Sequence, residues 1–540
     1  MFRPKARKQL RLYVRNHSSK IVAIVFALLA LVLGKKLYDF SAAPREEREC
    51  DFVYPYSTDE TTIQIAYFDL DKTRIDILQK GGSINDASCL NKTDVYAIVK
   101  VTSAEDVRAA LQFAREHGLK VTPSGERHSM GGQSFSRGGL ILDMRGMNEV
   151  TVDAERLTMH VESGASWKQV QAVLDAEGLA VKAMQSINLF TVGGTLSVNA
   201  HGVAHDPGQV GPTVRSMRVM LASGEIRTIT PASDPALVSA VIGGYGLSGV
   251  ILDVEFDIVK NESYAWVTKY IDFKDFPEYY RSTIIGNDNV GLFYARLSIA
   301  PTTYLTETAI HQYETLDFEI APEPLKPASK VWIKRLIFNL SKTGGFGRWI
   351  RWTAEKYLEP GVHTCITRNQ ALGTGHEEEV CVATRNQKMN QSMEYLKTRV
   401  RDTNILHEYF VPLENSVSFI EGLKRVMREH DVNLLNVTLR IVTKDTLSAL
   451  PYAKGDRIAF VLYFNQKLTA EDSAKLERAT VDLIDLAIDE GGTYYLPYQL
   501  YYSDAQLRGA YPEVDAFFGL KRHFDPTELF SNAFYERYGK

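Results

Sequence analysis

The apolar run VYAIVKV (95–101) predicts a buried strand. The next segment, SAEDVRAALQFAREHG, spaces its apolar residues at helical intervals between Ser103, a good N-cap, and Gly118, a good terminator. LKVTPSG then predicts a second strand, and GGLILDMRGMNEVTVDAERLTMHVESGAS several short ones. ASWKQVQAVLDAEG and ITPASDPALVSAVIGG each predict a further helix. From about Ser263 the texture changes to longer polar strands and helices, read as a second lobe. Within it the alternation of LLNVTLRIV sets Asn436, Thr438 and Arg440 on one face and Leu435, Val437 and Leu439 on the other.

Composition adds the scale. A chain of 540 residues, 45% hydrophobic and 24% charged, is too long for one compact unit, so two or three lobes are expected. A net charge of −4 offers no basic field for nucleic acid, and no Cys or Cys/His cluster has metal-ligand spacing. The four cysteines, Cys50, Cys89, Cys365 and Cys381, form an even set without a CxxC pair; a Cys50–Cys89 bridge is one expected pairing.

The first forty residues stand apart. Seven basic residues and no acidic one precede the uncharged run Ile21–Gly34. Fourteen residues at 1.5 Å rise reach about 21 Å against a hydrocarbon slab of roughly 30 Å, so snorkelling flanks are needed to span it. Lys35 and Lys36 follow at once, where a cleavable signal carries small neutral residues, which favours an uncleaved anchor over 21–38. The charge asymmetry predicts a single-pass topology with residues 1–20 cytoplasmic and the bulk of the chain outside.

Three glycine-bearing segments carry the chemistry. PSGERHSMGGQ follows a predicted strand and can point unpaired backbone N–H groups into a concavity suited to phosphate, with Ser129 and Gln133 as side-chain donors. INLFTVGGTLSVNAHGVAH (187–205) sets Gly193 and Gly194 among small residues ahead of Asn199, His201 and Gly202. IGGYGLSGVILDVEF (242–256) contains a GxGxxG at Gly244, Gly246 and Gly249, but helix-like PALVSAVI precedes it and strand-like VILDVEF follows. That is the reverse of a nicotinamide fingerprint and excludes it.

As a set, these segments resemble the vanillyl-alcohol oxidase and p-cresol methylhydroxylase superfamily of flavoproteins, over roughly Gly82 to Lys260 and again near the C-terminus, where FDPTELFSN is similar to the closing signature. The resemblance implies an α+β fold with a two-part FAD-binding domain over 81–261, a substrate or cap domain over 262–485, and a C-terminal segment, 486–540, completing the site; residues 39–80 form a linker. It implies FAD held by Ser124, Gly125, Glu126, Arg127, His128, Ser129, Gly132 and Gln133 at the pyrophosphate. Thr191, Val192, Gly193, Gly194, Thr195, Asn199 and Gly202 would serve the ring, and Gly249 and Val250 the adenine side. His128 matches the histidine that cytokinin dehydrogenases and alditol or gulonolactone oxidases attach covalently to the flavin, with Arg127 where their motif has glycine. Such a link would retain the cofactor outside a cell and favour reduction of the ring.

Arg440 matches an arginine lining the substrate pocket of the oxidases, and Tyr498, in YYLPYQ, stands where they and the decaprenylphosphoryl-ribose oxidases carry lysine. A tyrosine there either donates a hydrogen bond to a hydroxyl or, with a depressed pKa, takes its proton. The expected activity is hydride removal from a CH–OH group of a sugar, polyol or related small molecule, with Tyr498 or His201 managing the proton and oxygen, a quinone or a partner protein receiving the electrons. Alternatives are action on a lipid-linked sugar or a double bond, and a flavin-binding module without turnover. The stretch 326–356 holds eight basic residues and three of the five tryptophans. It reads as an amphipathic cap helix, although its composition is also that of helices lying in membrane lipid.

Overall fold

A computed structural model describes residues 28–44, 74–316, 324–325, 327, 329–357, 365–367, 379–390, 394–396, 399–400 and 402–540. The helix predicted from Ser103 runs Ala104–Glu116, and Ser103 accepts from the Asp106 amide as its N-cap. It packs Val107, Ala110, Leu111 and Ala114 into an apolar core with the strands Ala97–Lys100, Leu140–Asp143 and Val121–Ser124. These strands pair in parallel, with Leu140–Asp143 central, and Asp76–Lys80 adds antiparallel to Ala97–Lys100. A second sheet is antiparallel, in the order Ile226–Ile229, Val214–Met220, Val250–Lys260, Thr158–Glu162 and Val150–Asp153, with Leu179–Val181 pairing the far end of Val250–Lys260.

The third sheet has nine strands and carries the later half of the chain. Its centre runs Glu307–Thr315, Val290–Leu297, Asn433–Val442, Arg457–Gln466, Thr403–Val411 and Thr493–Tyr494. Burial along Asn433–Val442 alternates as expected, with Leu435, Val437 and Leu439 buried and Asn436, Thr438 and Arg440 partly open.

The C-terminal signature closes the molecule. Phe530 bridges Val121 in parallel, and Ser531 N donates to Val121 O at 3.0 Å. Asn532 Nδ2 donates to Tyr245 O at 2.9 Å. The strand that feeds the first glycine loop is thus tied to residues about four hundred positions away, and the turn at the third glycine cluster to one 287 positions away.

The expected tail at 1–20 and residues 21–27 of the expected anchor lie outside the described residues, as does Cys50. Described residues of the anchor belong to a helix over 28–41. Among the described residues no helix is long and apolar enough to cross a membrane. Cys89 and Cys381 are both disulfide-bonded, and Cys381 stands opposite Cys365 in an antiparallel pair.

Candidate functional site

The glycine segments and the third sheet converge on one cavity of about 2430 Å³. Small-molecule sites measure roughly 300–1,000 Å³, so a dinucleotide and a substrate have room together. Ser124, Gly125, Glu126, Arg127, His128, Ser129, Gln133, Thr191, Gly193, Gly194, Thr195 and Gly249 line it, and so do His201, Arg440 and Tyr498.

The first loop is held from three sides. A Cβ on Gly125 would collide with Thr191 Oγ1, so the loop lies directly on the second glycine segment. Arg127 adopts φ 54°, the left-handed region that glycine enters at little cost; the arginine departs from the flavoprotein motif in identity while keeping a backbone that glycine favours. Gln133 Nε2 donates to Leu496 O at 2.7 Å and Tyr498 O at 3.1 Å, and Met130 N donates to Pro497 O at 2.8 Å. Gln133 therefore spends its amide on the protein, fastening the C-terminal segment to the loop.

Asp86 anchors the far side, accepting from Gly132 N at 2.9 Å, Asn91 Nδ2 at 2.8 Å and the amide of Ser88 at 3.0 Å. Burial pushes its carboxyl up from 3.8 to about 6. The folded chain then keeps a proton that the unfolded chain has released, so the stability from this group is complete below about pH 4 and is lost as pH rises through 6. The expected result is a wild-type minus Asp86→Asn difference in Tm that falls between pH 4 and 7. A difference independent of pH across that range would refute the assignment.

TVGGTLS opens the short helix Val192–Ser197 with Thr191 at its N-cap position. Gly193 N donates to Ser163 O at 2.7 Å, and a Cβ on Gly193 would lie 2.8 Å from Ser163 Cβ. Close packing on Ser163 requires the glycine, and it overrides the weak helix propensity of a Gly-Gly pair.

Five expected flavin contacts do not line the cavity: Gly132, Val192, Asn199, Gly202 and Val250. Gly132 faces Asp86 and Ala533, and Val192 is core. Asn199 is consumed in the fold, donating to Asp445 Oδ2 at 3.0 Å and accepting from Gly211 N at 2.9 Å. Gly202 is packed on the Met184 carbonyl, and Val250 begins a strand opposite Met220. Thr195 lines the cavity, yet its hydroxyl accepts from Trp167 Nε1 at 2.8 Å and donates to Gln185 Oε1 at 3.0 Å.

At the other end four side chains meet. His201 Nε2 lies 2.7 Å from Glu408 Oε1, both side chains almost wholly buried. Tyr498 Oη donates to Glu408 Oε2 at 3.4 Å, the long end of hydrogen-bond range. Arg440 Nη1 donates to His201 O at 3.2 Å and Nη2 to Ser186 Oγ at 2.8 Å. Burial first, then the charge of Glu408, drives the Tyr498 phenol well above its usual range, with Arg440 opposing. In this arrangement the tyrosine is the hydrogen-bond donor and the carboxylate the acceptor. His407, packed against Tyr498 with ring centroids 6.3 Å apart, is pushed down to about 3 by burial and stays neutral at ordinary pH.

Glu408 is the residue that sequence reading passed over. It sits in the strand Thr403–Val411, where TNILHEYFV places an acid beside apolar neighbours, and that buried charge in a central strand was the available signal.

Residues 95–230 match the FAD-binding domain family. This segment is an FAD-binding domain of the vanillyl-alcohol oxidase and p-cresol methylhydroxylase type. About a third of the chain is similar to parts of several curated proteins. Decaprenylphosphoryl-β-D-ribose oxidase of Mycolicibacterium smegmatis is 34% identical over 173 residues, covering 31% of this chain and 38% of that protein. D-Lactate dehydrogenase of Anaerostipes hadrus is 28% identical, over 33% and 41%. Cytokinin dehydrogenase 10 of Oryza sativa is 30% identical, over 34% and 36%. The chain thus matches well under half the length of these relatives.

The residues present fit FAD. Buried Ser124 Oγ, Arg127 Nε and Ser163 Oγ have no hydrogen-bond partner among the described residues, and all three residues line the cavity beside the glycine loops. Unpaired buried donors at that place suit a diphosphate. His128, whose ring lies 4.6 Å from that of Phe190, borders the same space.

Proposed function

We propose that the chain is a membrane-anchored FAD-dependent oxidoreductase that removes hydride from a CH–OH carbon of a sugar, polyol or related hydroxyl compound. The observation that carries this reading is the cluster of Glu408, His201, Tyr498 and Arg440 in the same cavity as the glycine loops. FAD, when bound, supplies the hydride acceptor. As the C–H bond delivers its hydride, the hydroxyl proton passes to the Glu408 carboxylate, leaving a carbonyl. Tyr498, held protonated, donates a hydrogen bond to the substrate oxygen, and Arg440 orients the substrate from the polar face of its strand. The electron acceptor is oxygen, a quinone or a partner protein. Disulfide-bonded Cys89 and Cys381 support an extracytoplasmic location for this part of the chain.

Reduction of the bound flavin under anaerobic conditions by a panel of polyols, sugar acids and lactones tests the activity. Bleaching by at least one member is expected, and a panel that leaves the flavin oxidised would remove the reading of a small-molecule polyol, sugar acid or lactone as substrate. Under a lipid-linked sugar reading, only the lipid-linked donor bleaches it. Tyr498→Phe should lower the bleaching rate by roughly tenfold, the scale of one lost hydrogen bond at about 1 kcal/mol or more; an unchanged rate would take Tyr498 out of the chemistry.

We further propose that His128 carries the flavin covalently. Acid-precipitated protein should then stay yellow and His128→Ala protein should release its colour; colour released from the wild type would leave only non-covalent binding.

A further inference from the structure

The exposed large apolar side chains are concentrated in two places. In the helix over 28–41, Leu28, Leu29, Leu31, Val32, Leu33, Leu37 and Tyr38 are all exposed, Leu31 to 70%. Leu31, Val32 and Leu33 are consecutive, so the apolar surface runs round the helix. A protein partner covers one stripe of a helix, whereas a bilayer covers every side. The second place is the helix pair Val331–Ser341 and Gly345–Tyr357. On the latter, Phe346, Trp349 and Tyr357 fall at i, i+3 and i+11 with Thr353 between them, one face of the helix, and Phe346 is 73% exposed. Phe346 and Trp349 stack with centroids 5.9 Å apart. Trp332 is exposed on the former helix.

The two places are joined. Arg335 Nη1 donates to Ser41 O at 3.0 Å, Asn339 Nδ2 to Phe40 O at 2.9 Å, and Arg399 Nε to Ala43 O at 2.7 Å. Cationic and amide donors on the last carbonyls are what the negative end of a helix favours, and they fix the apolar helix to the body of the protein. Trp332, Arg335 and Asn339 share one face of their helix at i, i+3 and i+7, so the exposed indole lies one turn from the clamp.

Charge points the same way. Lys35, Lys36, Lys330 and Lys334 have no carboxylate partner among the described residues, whereas Lys342 and Lys356 are paired with Asp402 and Glu307. Four cations with no carboxylate partner among the described residues, set near exposed aromatics, suit anionic headgroups. Lys330 and Lys334, with Asp39 and Pro44, also line the cavity that reaches Arg440 and Tyr498.

We propose that this surface is a second membrane contact: the aromatic faces of Val331–Ser341 and Gly345–Tyr357 dock on an anionic phospholipid bilayer and set the mouth of the cavity, at Lys330 and Lys334, against the headgroup layer. The inference rests on the membrane location proposed above, but adds an orientation that a tether alone does not impose.

The helix over 28–41 contains no tryptophan, so tryptophan quenching reports the second contact alone. The full chain is reconstituted in phosphatidylcholine vesicles, with and without phosphatidylglycerol, whose acyl chains are brominated near the headgroup. Flotation and flavin content are read on the same samples. The expected result is a protein that floats and whose emission is quenched more strongly with phosphatidylglycerol. Trp332→Phe with Trp349→Phe should reduce the quenched emission about twofold or more at unchanged flavin content, since Trp167, Trp266 and Trp352 remain. Failure to float would overturn the membrane location. Floating protein with unquenched tryptophans, quenching that survives the double substitution, or equal quenching in both lipids would overturn the docking surface while leaving the anchor standing. Phenylalanine also leaves folding undisturbed at exposed positions, and Lys330→Glu with Lys334→Glu should abolish the preference for phosphatidylglycerol.

Discussion

Glu408→Gln is expected to slow flavin reduction by substrate roughly 10²- to 10⁴-fold, the range for loss of a general base. Glutamine keeps the size and the acceptor for the Tyr498 hydroxyl but cannot take a proton. The carboxylate is the group best placed to do so, because the Tyr498 phenol is held protonated by burial and by Glu408 itself, and His407, pushed down to about 3 by burial, is too weak a base. The charge also matters to its neighbours, with His201 Nε2 at 2.7 Å and Arg440 bound to the His201 carbonyl. Rapid-mixing reduction with the flavin at full occupancy isolates the effect from cofactor loss. A Glu408→Gln protein reduced within threefold of the wild-type rate would transfer the base role to His201, and the same measurement on His201→Ala would then show the large loss.

The second large effect is on the cofactor. Gly125→Ala places a methyl group against Thr191 Oγ1, where the first glycine loop lies on the second glycine segment. Overpacking of this kind costs about 1–3 kcal/mol, so FAD is expected to bind roughly 10- to 100-fold more weakly as the loop is pushed from its seat. The explanation has a specific rescue. Thr191→Ala removes the opposing hydroxyl, and the double substitution should recover part of the lost affinity. Equal weakening in the single and double substitutions, measured by FAD titration in a His128→Ala background where the cofactor exchanges, would show that the contact is not the cause.

What could be read in advance follows the range of the physics. The Ser103 cap and the helix after it depend on neighbours three and four positions away, and the alternation of Asn436, Thr438 and Arg440 on one strand; both are local patterns. The glycine segments were legible as a set because three such turns in one chain rarely serve as plain loops. Their individual roles were not. Asn199 and Gly202 look the same in sequence whether they face a ligand or hold Asp445 and the Met184 carbonyl, and only the fold separates the two. The Gly-Gly pair of TVGGTLS disfavours a helix on propensity, and packing on Ser163 supplies what propensity lacks. Glu408 was hidden for a related reason: its neighbours come from positions 201, 440 and 498, in three separate elements, so no spacing announces the cluster.

The central claim, that the glycine segments and Arg127 grip one FAD in the large cavity, meets its most direct test in the visible absorption spectrum of the purified full chain, before and after reconstitution with FAD. The expected spectrum is that of an oxidised flavin at one per chain, either as purified or after reconstitution. A chain that stays colourless and takes up no FAD would contradict it.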